Sequence, residues 1–358
     1  MKLMVGSILI FMMSFAWTSQ IAPSPTQAMA AIILYEEALD EQGLLSLVAL
    51  KAERYFVVYQ NNADPDAQKS GIIDPAKVAR YVASTWGDCP EGWGVLDFED
   101  PFDARLQGGI GTEECKNTIS TMVEAVRTLK RIFPKVKWTY YGIPGLAFYL
   151  AGETWDIAPE SARNAELQHQ RDAHRAILAE CDWIAPCIYN TVGEGHAAKI
   201  APDRLRKATR AWVAARVALS RSISGNQPNS PPVVPFGSPL YLAGGGARSF
   251  SVIPKEVLLQ DTIEPALNAG AHGICIWSGA QNYIAIATGD RPATGFTEGG
   301  GKSVLVNTWS DDLGIDPTAL ASPDGRKKLI TMISKAQIDM AKGIRSKVNA
   351  TFKGDIPH

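Results

Sequence analysis

Asp97 and Glu99 stand two residues apart at the end of an apolar run, Gly94-Val95-Leu96, that follows Trp93. In a strand, side chains at i and i+2 share one face. The two carboxylates would therefore project together, with Cβ atoms roughly 6–7 Å apart. Carboxylates that close do not ionise independently, and one must hold its proton to higher pH. A proton donor beside a charged carboxylate is what glycosidic bond cleavage requires. The same spacing also suits a strand that runs out into a solvated acidic loop, since Asp100 and Asp103 follow.

Three aromatic residues share the strand-end placement of this pair. Tyr141 closes Trp138-Thr139-Tyr140-Tyr141, Tyr189 closes a run that begins at Trp183, and Trp277 closes Gly273-Ile274-Cys275-Ile276-Trp277. Singly, each ring suits a core position. Together with the carboxylates they make a sugar site in composition: acids for the bond, phenols for hydrogen bonds, an indole for a pyranose face. His169, His174, His196, His272 and His358 lack metal-ligand spacing, and no HExxH or CxxC occurs. No metal and no other cofactor is expected.

The elements that must position these residues alternate in type. Strands are predicted at residues 55–59, 94–99, 138–142, 183–189, 273–277 and, broken, at 233–242. Helices are predicted at residues 75–85, 112–133, 159–181, 203–222, 254–267 and 323–352. The helix at 112–133 has Thr112 as its cap, Glu113 and Glu114 in its first turn, and a stripe of Ile119, Met122, Val123, Val126 and Leu129 that reads as core. The helix at 203–222 carries Arg204, Arg206, Lys207, Arg210, Arg216 and Arg221, read as a solvated outer face. Residues 288–322 read as loop, with Gly299-Gly300-Gly301 a flexible turn. Strands alternating with helices imply βα units around a parallel sheet. Roughly six strands over about 225 residues fit a TIM-like (β/α) barrel of seven or eight mostly parallel strands. No Gly-rich turn follows the first strand, which disfavours a dinucleotide-binding sheet.

The chain has 358 residues, 46% of them hydrophobic and 20% charged. That composition is globular and argues against disorder. A net charge of -2 supplies no global field for nucleic acid. Residues 1–30 read as an export signal: Lys2, an apolar run at residues 3–17, then Ala28-Met29-Ala30 as cleavage-site residues. An uncleaved anchor is the alternative. The expected organisation is a signal at 1–30, a helical lead-in at 31–53, and one catalytic barrel at 54–358 ending in a helix. Secretion or a periplasmic location follows, with a polysaccharide substrate as partner, a monomeric state, and no membrane partner beyond the signal. Of five cysteines, Cys275 lies in an apolar run and reads as a buried thiol. Cys89, Cys115, Cys181 and Cys187 would allow two bridges in three connectivities.

Four segments resemble the hyaluronidases of glycoside hydrolase family 56. Val95-Leu96-Asp97-Phe98-Glu99 resembles that family's strand ending in Asp-(Trp/Phe)-Glu. Trp138-Thr139-Tyr140-Tyr141-Gly142-Ile143-Pro144 resembles its Trp-Gly-Tyr-Tyr-x-x-Pro segment. Ala185-Pro186-Cys187-Ile188-Tyr189 resembles its Pro-Ser-(Val/Ile)-Tyr segment. Gly270-Ala271-His272-Gly273-Ile274-Cys275-Ile276-Trp277 resembles its Gly-Ala-x-Gly-x-x-(Ile/Leu)-Trp segment. The four occur in the family's order. The resemblance implies a retaining, substrate-assisted glycosidase acting on an N-acetylhexosamine polysaccharide such as hyaluronan. Glu99 would be the acid and then the base, and Asp97 would hold the acetamido group beside it. Tyr141, Tyr189 and Trp277 would bind the sugar. Glu99 is expected to carry the raised pKa beside an ionised Asp97. The chain departs from the family where Asp100-Pro101-Phe102-Asp103 replaces its usual Trp and Arg residues, and where Ser278 replaces Gly. The family's disulfide framework is not recognisable. A cell-wall muramidase and a non-catalytic sugar-binding barrel are the competing readings.

Overall fold

A computed structural model describes residues 31–190, 200–225, 227, 229–241, 249–292 and 301–353. The stretch read as an export signal, residues 1–30, and the turn expected at Gly299 and Gly300 lie outside the described residues. The barrel strands are β1 (Ile32–Tyr35), β2 (Glu53–Tyr59), β3 (Gly92–Asp97) and β4 (Val136–Gly142). A small hairpin follows, β5 (Tyr149–Leu150) with β6 (Glu153–Thr154). Then come β7 (Ala185–Pro186), β8 (Phe236–Gly237) and β9 (Gly273–Ile276). The sheet order is β7-β4-β3-β2-β1-β9-β8, with every pairing parallel. Parallel bridges at Ile184–Val233 and Cys187–Phe236 join its two ends, so the ring closes. The fold is a TIM-like (β/α) barrel of seven parallel strands.

The strand period of two explains what fills the ring. Leu34, Tyr55, Val57, Trp93, Val95, Trp183, Ala185, Val234, Phe236 and Cys275 form the interior cluster. Their neighbours in the chain, among them Ile33, Val58, Leu96, Trp138, Tyr140, Ile184 and Ile274, face outward into the layer packed against the helices. Both faces are buried, which is why these strands read as continuous apolar runs.

The helices are α1 (Glu41–Ala49), α2 (Gln60–Ala63), α3 (Ala67–Ser70), α4 (Pro75–Trp86), α5 (Phe102–Gln107), α6 (Glu113–Ile132), α7 (Glu160–Leu178) and α8 (Pro202–Ser224). After β8 come α9 (Lys255–Leu258) and α10 (Glu264–Asn268), and after β9 come α11 (Ala280–Thr288), α12 (Gly301–Leu313) and α13 (Pro323–Lys353). Thr112 caps α6 by accepting from the Cys115 amide at 3.2 Å, and Met122, Val126 and Leu129 of its stripe are buried. Each such side chain contributes about 1.5–3 kcal/mol.

Four expectations need correction. The stretch read as a helical lead-in contains β1, which pairs with both β2 and β9. Its Ile-Ile-Leu-Tyr run is too short to display a period, and only the ring gives it partners. Residues 288–322 hold α12, whose Leu305 and Trp309, four residues apart, are both buried. All five cysteines are free thiols. Cys115 packs in the helix layer, Cys181 Sγ donates to the Ile177 carbonyl and Cys187 Sγ accepts from Tyr141, so each is held by different neighbours. The arginines of α8 do not form a solvated face. Arg206 and Arg210 pair with Asp261, which is 0% exposed. Arg216 reaches inward to the carbonyls of Gly142 and Pro144.

Candidate active site

The parity that fills the barrel also arms its mouth. Continuing the inward-facing positions past each strand end gives Glu36 from β1, Tyr59 from β2, Asp97 and Glu99 from β3, Tyr141 from β4, Tyr189 after β7 and Trp277 after β9. All lie at the C-terminal ends of parallel strands, where barrel active sites form. Tyr59, Tyr141, Tyr189 and Trp277 pack on the interior cluster from above.

Asp97 and Glu99 line a cleft of about 250 Å³ together with Tyr59, Gln60, Asn61, Gln68 and Asp100. Asp97 is the last residue of β3, and its Oδ1 is buried with no hydrogen-bond partner. Glu99 lies beyond the strand and is exposed. Burial, then the charges of Glu99, Asp103 and Glu36, drives the Asp97 pKa well above the carboxylate range. The carboxylate expected to stay ionised thus has a raised pKa itself, because Asp97 is buried in the mouth. Two proton carriers flank it. Glu36 is pushed up to about 7, by burial first and Glu37 next, against the hydrogen bond it accepts from Tyr59 at 2.8 Å. Asp103 is pushed up to about 7 by burial and then by the charge of Glu99.

The three expected aromatic residues come together, but none of them lines the cleft that holds the carboxylates. Tyr189 stacks on Trp277 with centroids 5.3 Å apart and planes at 25°, and Tyr141 lies 6.3 Å from Tyr189. Tyr141 is near enough to Asp97 and Glu99 that their charges help raise its phenol pKa, after burial. Trp277 and Tyr59 pack on the same interior cluster, and Trp277 works to lower the Tyr59 phenol pKa, which burial and then the Glu36 charge raise. From outside, Gln337 of α13 donates to Ser278 Oγ at 3.2 Å, just past Trp277.

Sequence reasoning missed Tyr59, Gln60 and Glu36. Tyr59 ends a strand that was recognised, so its position carried the same signal as Tyr141. Glu36 was hidden because β1 was read as helix.

No protein-family model matches the chain, and no curated protein matches it. Among solved structures, bee venom hyaluronidase in complex with a hyaluronic acid tetramer is similar at 14% identity and a TM-score of 0.50, over 82% of this chain and 99% of that one. A monoclinic crystal form of bee venom hyaluronidase is similar at 13% identity and a TM-score of 0.49, over 81% and 99%. A GH18 chitinase from Pseudoalteromonas aurantia is similar at 15% identity and a TM-score of 0.36, over 63% and 69%. At these identities the likeness concerns the course of the chain, and this chain has the hyaluronidase-like barrel fold.

Proposed function

We propose that the chain is a glycoside hydrolase that cleaves an N-acetylhexosamine polysaccharide with retention, using the substrate's own acetamido group as nucleophile. The observation that carries this reading is the Asp97–Glu99 pair, held by one strand end at the mouth of a closed barrel. Glu99 gives its proton to the leaving glycosidic oxygen while the acetamido carbonyl oxygen bonds to the anomeric carbon. Water then attacks that carbon, Glu99 takes the proton back, and the oxazolinium ring reopens. Asp97 holds the acetamido N–H and balances the positive charge. The acceptor atom available for this is Oδ1, which has no protein partner.

The pair titrates as a unit. Burial favours a proton on Asp97 in the resting protein, and that proton must pass to Glu99 when substrate arrives. Trp277 and Tyr189 supply a stacked aromatic surface, and Tyr141 lies close to both carboxylates. On this reading the mature protein works as a monomer outside the cytoplasm.

The test is product release from chitin, hyaluronan, chondroitin and peptidoglycan by the wild type and by Glu99→Gln. Turnover on one substrate that falls by about 10²–10⁴-fold in the variant supports the reading. Full activity in the variant overturns the role of Glu99. Binding without turnover on the whole panel replaces the hydrolase with a sugar-binding barrel.

A further inference from the structure

A second cavity, of about 440 Å³, opens beside the catalytic cleft between α5, the segment after β4, α7 and α8. It is larger than the 250 Å³ cleft at the carboxylate pair and within the range of small-ligand sites. The two spaces are neighbours. Asp103 lines the larger one, its amide donates to the Glu99 carbonyl at 2.8 Å, and its carboxyl feels the Glu99 charge. Gly142, also in the lining, directly follows Tyr141.

The lining is rich in acceptors. Gln170 is 3% exposed, and its Nε2 donates to Glu166 at 3.0 Å. That bond fixes the amide orientation and leaves Oε1 buried with no hydrogen-bond partner. Gly145, another lining residue, has no side chain to cover this oxygen; a Cβ there would lie 3.2 Å from it. His174 Nδ1 lies 2.9 Å from the Gln170 carbonyl, so it carries the ring proton. Nε2 of the neutral ring is then an acceptor. Asp103 and Glu166 add carboxylates. The cation in the lining, Arg216, has N–H groups engaged with the carbonyls of Gly142 and Pro144. A buried acceptor without a partner costs about 1–3 kcal/mol, a cost that a donor-bearing ligand removes.

We propose that this cavity is a further sugar subsite of the same glycan-binding cleft, taking a non-acidic hexose unit through its hydroxyl, amide or amine donors and rejecting a uronate. The inference rests on the glycosidase reading and names the substrate class within it. A uronate would bring its carboxylate against Glu166, and against Asp103 once that carboxyl has ionised. A glucosamine or N-acetylglucosamine unit brings donors instead.

The experiment is calorimetric titration of Glu99→Gln with N-acetylglucosamine oligomers of two to six units, a de-N-acetylated hexamer and a hyaluronan hexasaccharide. Affinity is expected to rise about tenfold at the chain length that first reaches the cavity, the scale of one or two hydrogen bonds. Ala147→Trp, which fills the cavity from its rim, should abolish that rise. Gln107→Ala, on the exposed turn of α5, should reduce it in a protein whose fold is not in question. Both hexosamine hexamers should bind more tightly than hyaluronan. A length gain that survives Ala147→Trp and Gln107→Ala, or hyaluronan binding as tight as the chitin hexamer, overturns the subsite. If the wild type also turns over no glycan and the Glu99→Gln protein binds none, the glycosidase reading falls and the subsite with it. Turnover by the wild type with binding indifferent to both lining variants removes the subsite alone.

Discussion

Glu36→Gln should make the protein more stable at neutral pH and leave it unchanged in acid. Glu36 is half-buried at the end of β1, beside Glu37, and its pKa is raised from 4.5 to about 7. A carboxyl whose pKa is higher folded than unfolded binds its proton more tightly in the native state. It therefore costs nothing below pH 4.5. The cost grows as pH rises from 4.5 and is fully present above about 7. At about 1.4 kcal/mol per pKa step, the full cost is about 3 kcal/mol. Glutamine keeps an oxygen to accept from the Tyr59 hydroxyl at the same place and has no charge to desolvate. The assay is urea unfolding of wild type and variant at pH 4, 5.5 and 7.5. The curves should coincide at pH 4, and the variant should gain about 2–3 kcal/mol by pH 7.5. A gain that does not change with pH would refute the argument, because burial of a charge would not be its source.

Three further outcomes follow from the site and the ring. Asp97→Asn should lower kcat severely, since the oxazolinium charge loses its partner, yet raise stability at neutral pH because Asp97 also has a raised pKa; steady-state rates and unfolding curves on the same variant check both signs. Trp277→Ala removes one ring of the stack with Tyr189 and should weaken binding of N-acetylated oligosaccharides by about 1–2 kcal/mol, read as Kd by calorimetry. Gly273→Ala should prevent the barrel from closing, because its Cβ would lie 1.8 Å from the Ile32 carbonyl oxygen; a folded variant with a wild-type melting curve would contradict this.

The sequence by itself determined the architecture and named candidate residues at strand ends. Apolar runs such as Gly273–Ile276 announced strands buried on both faces, the stripe of α6 announced a helix laid on them, and their alternation announced the barrel. A period of two then put Asp97 with Glu99, and strand ends put Tyr141, Tyr189 and Trp277 together at the same mouth of the barrel. These features were legible because they are local, set by neighbours a few residues away in the chain. What only the tertiary structure decided was non-local. β1 became a strand because β2 and β9 flank it, and it brought Glu36 into the mouth. Depth in the barrel raised the pKa of Asp97, the carboxyl expected to stay ionised. Arg216 turned from a presumed surface charge into a clamp on the segment after β4, and Gln170 met Asp103 across a cavity. Burial and charge coupling depend on which distant elements pack around a residue, and no window of sequence contains that information.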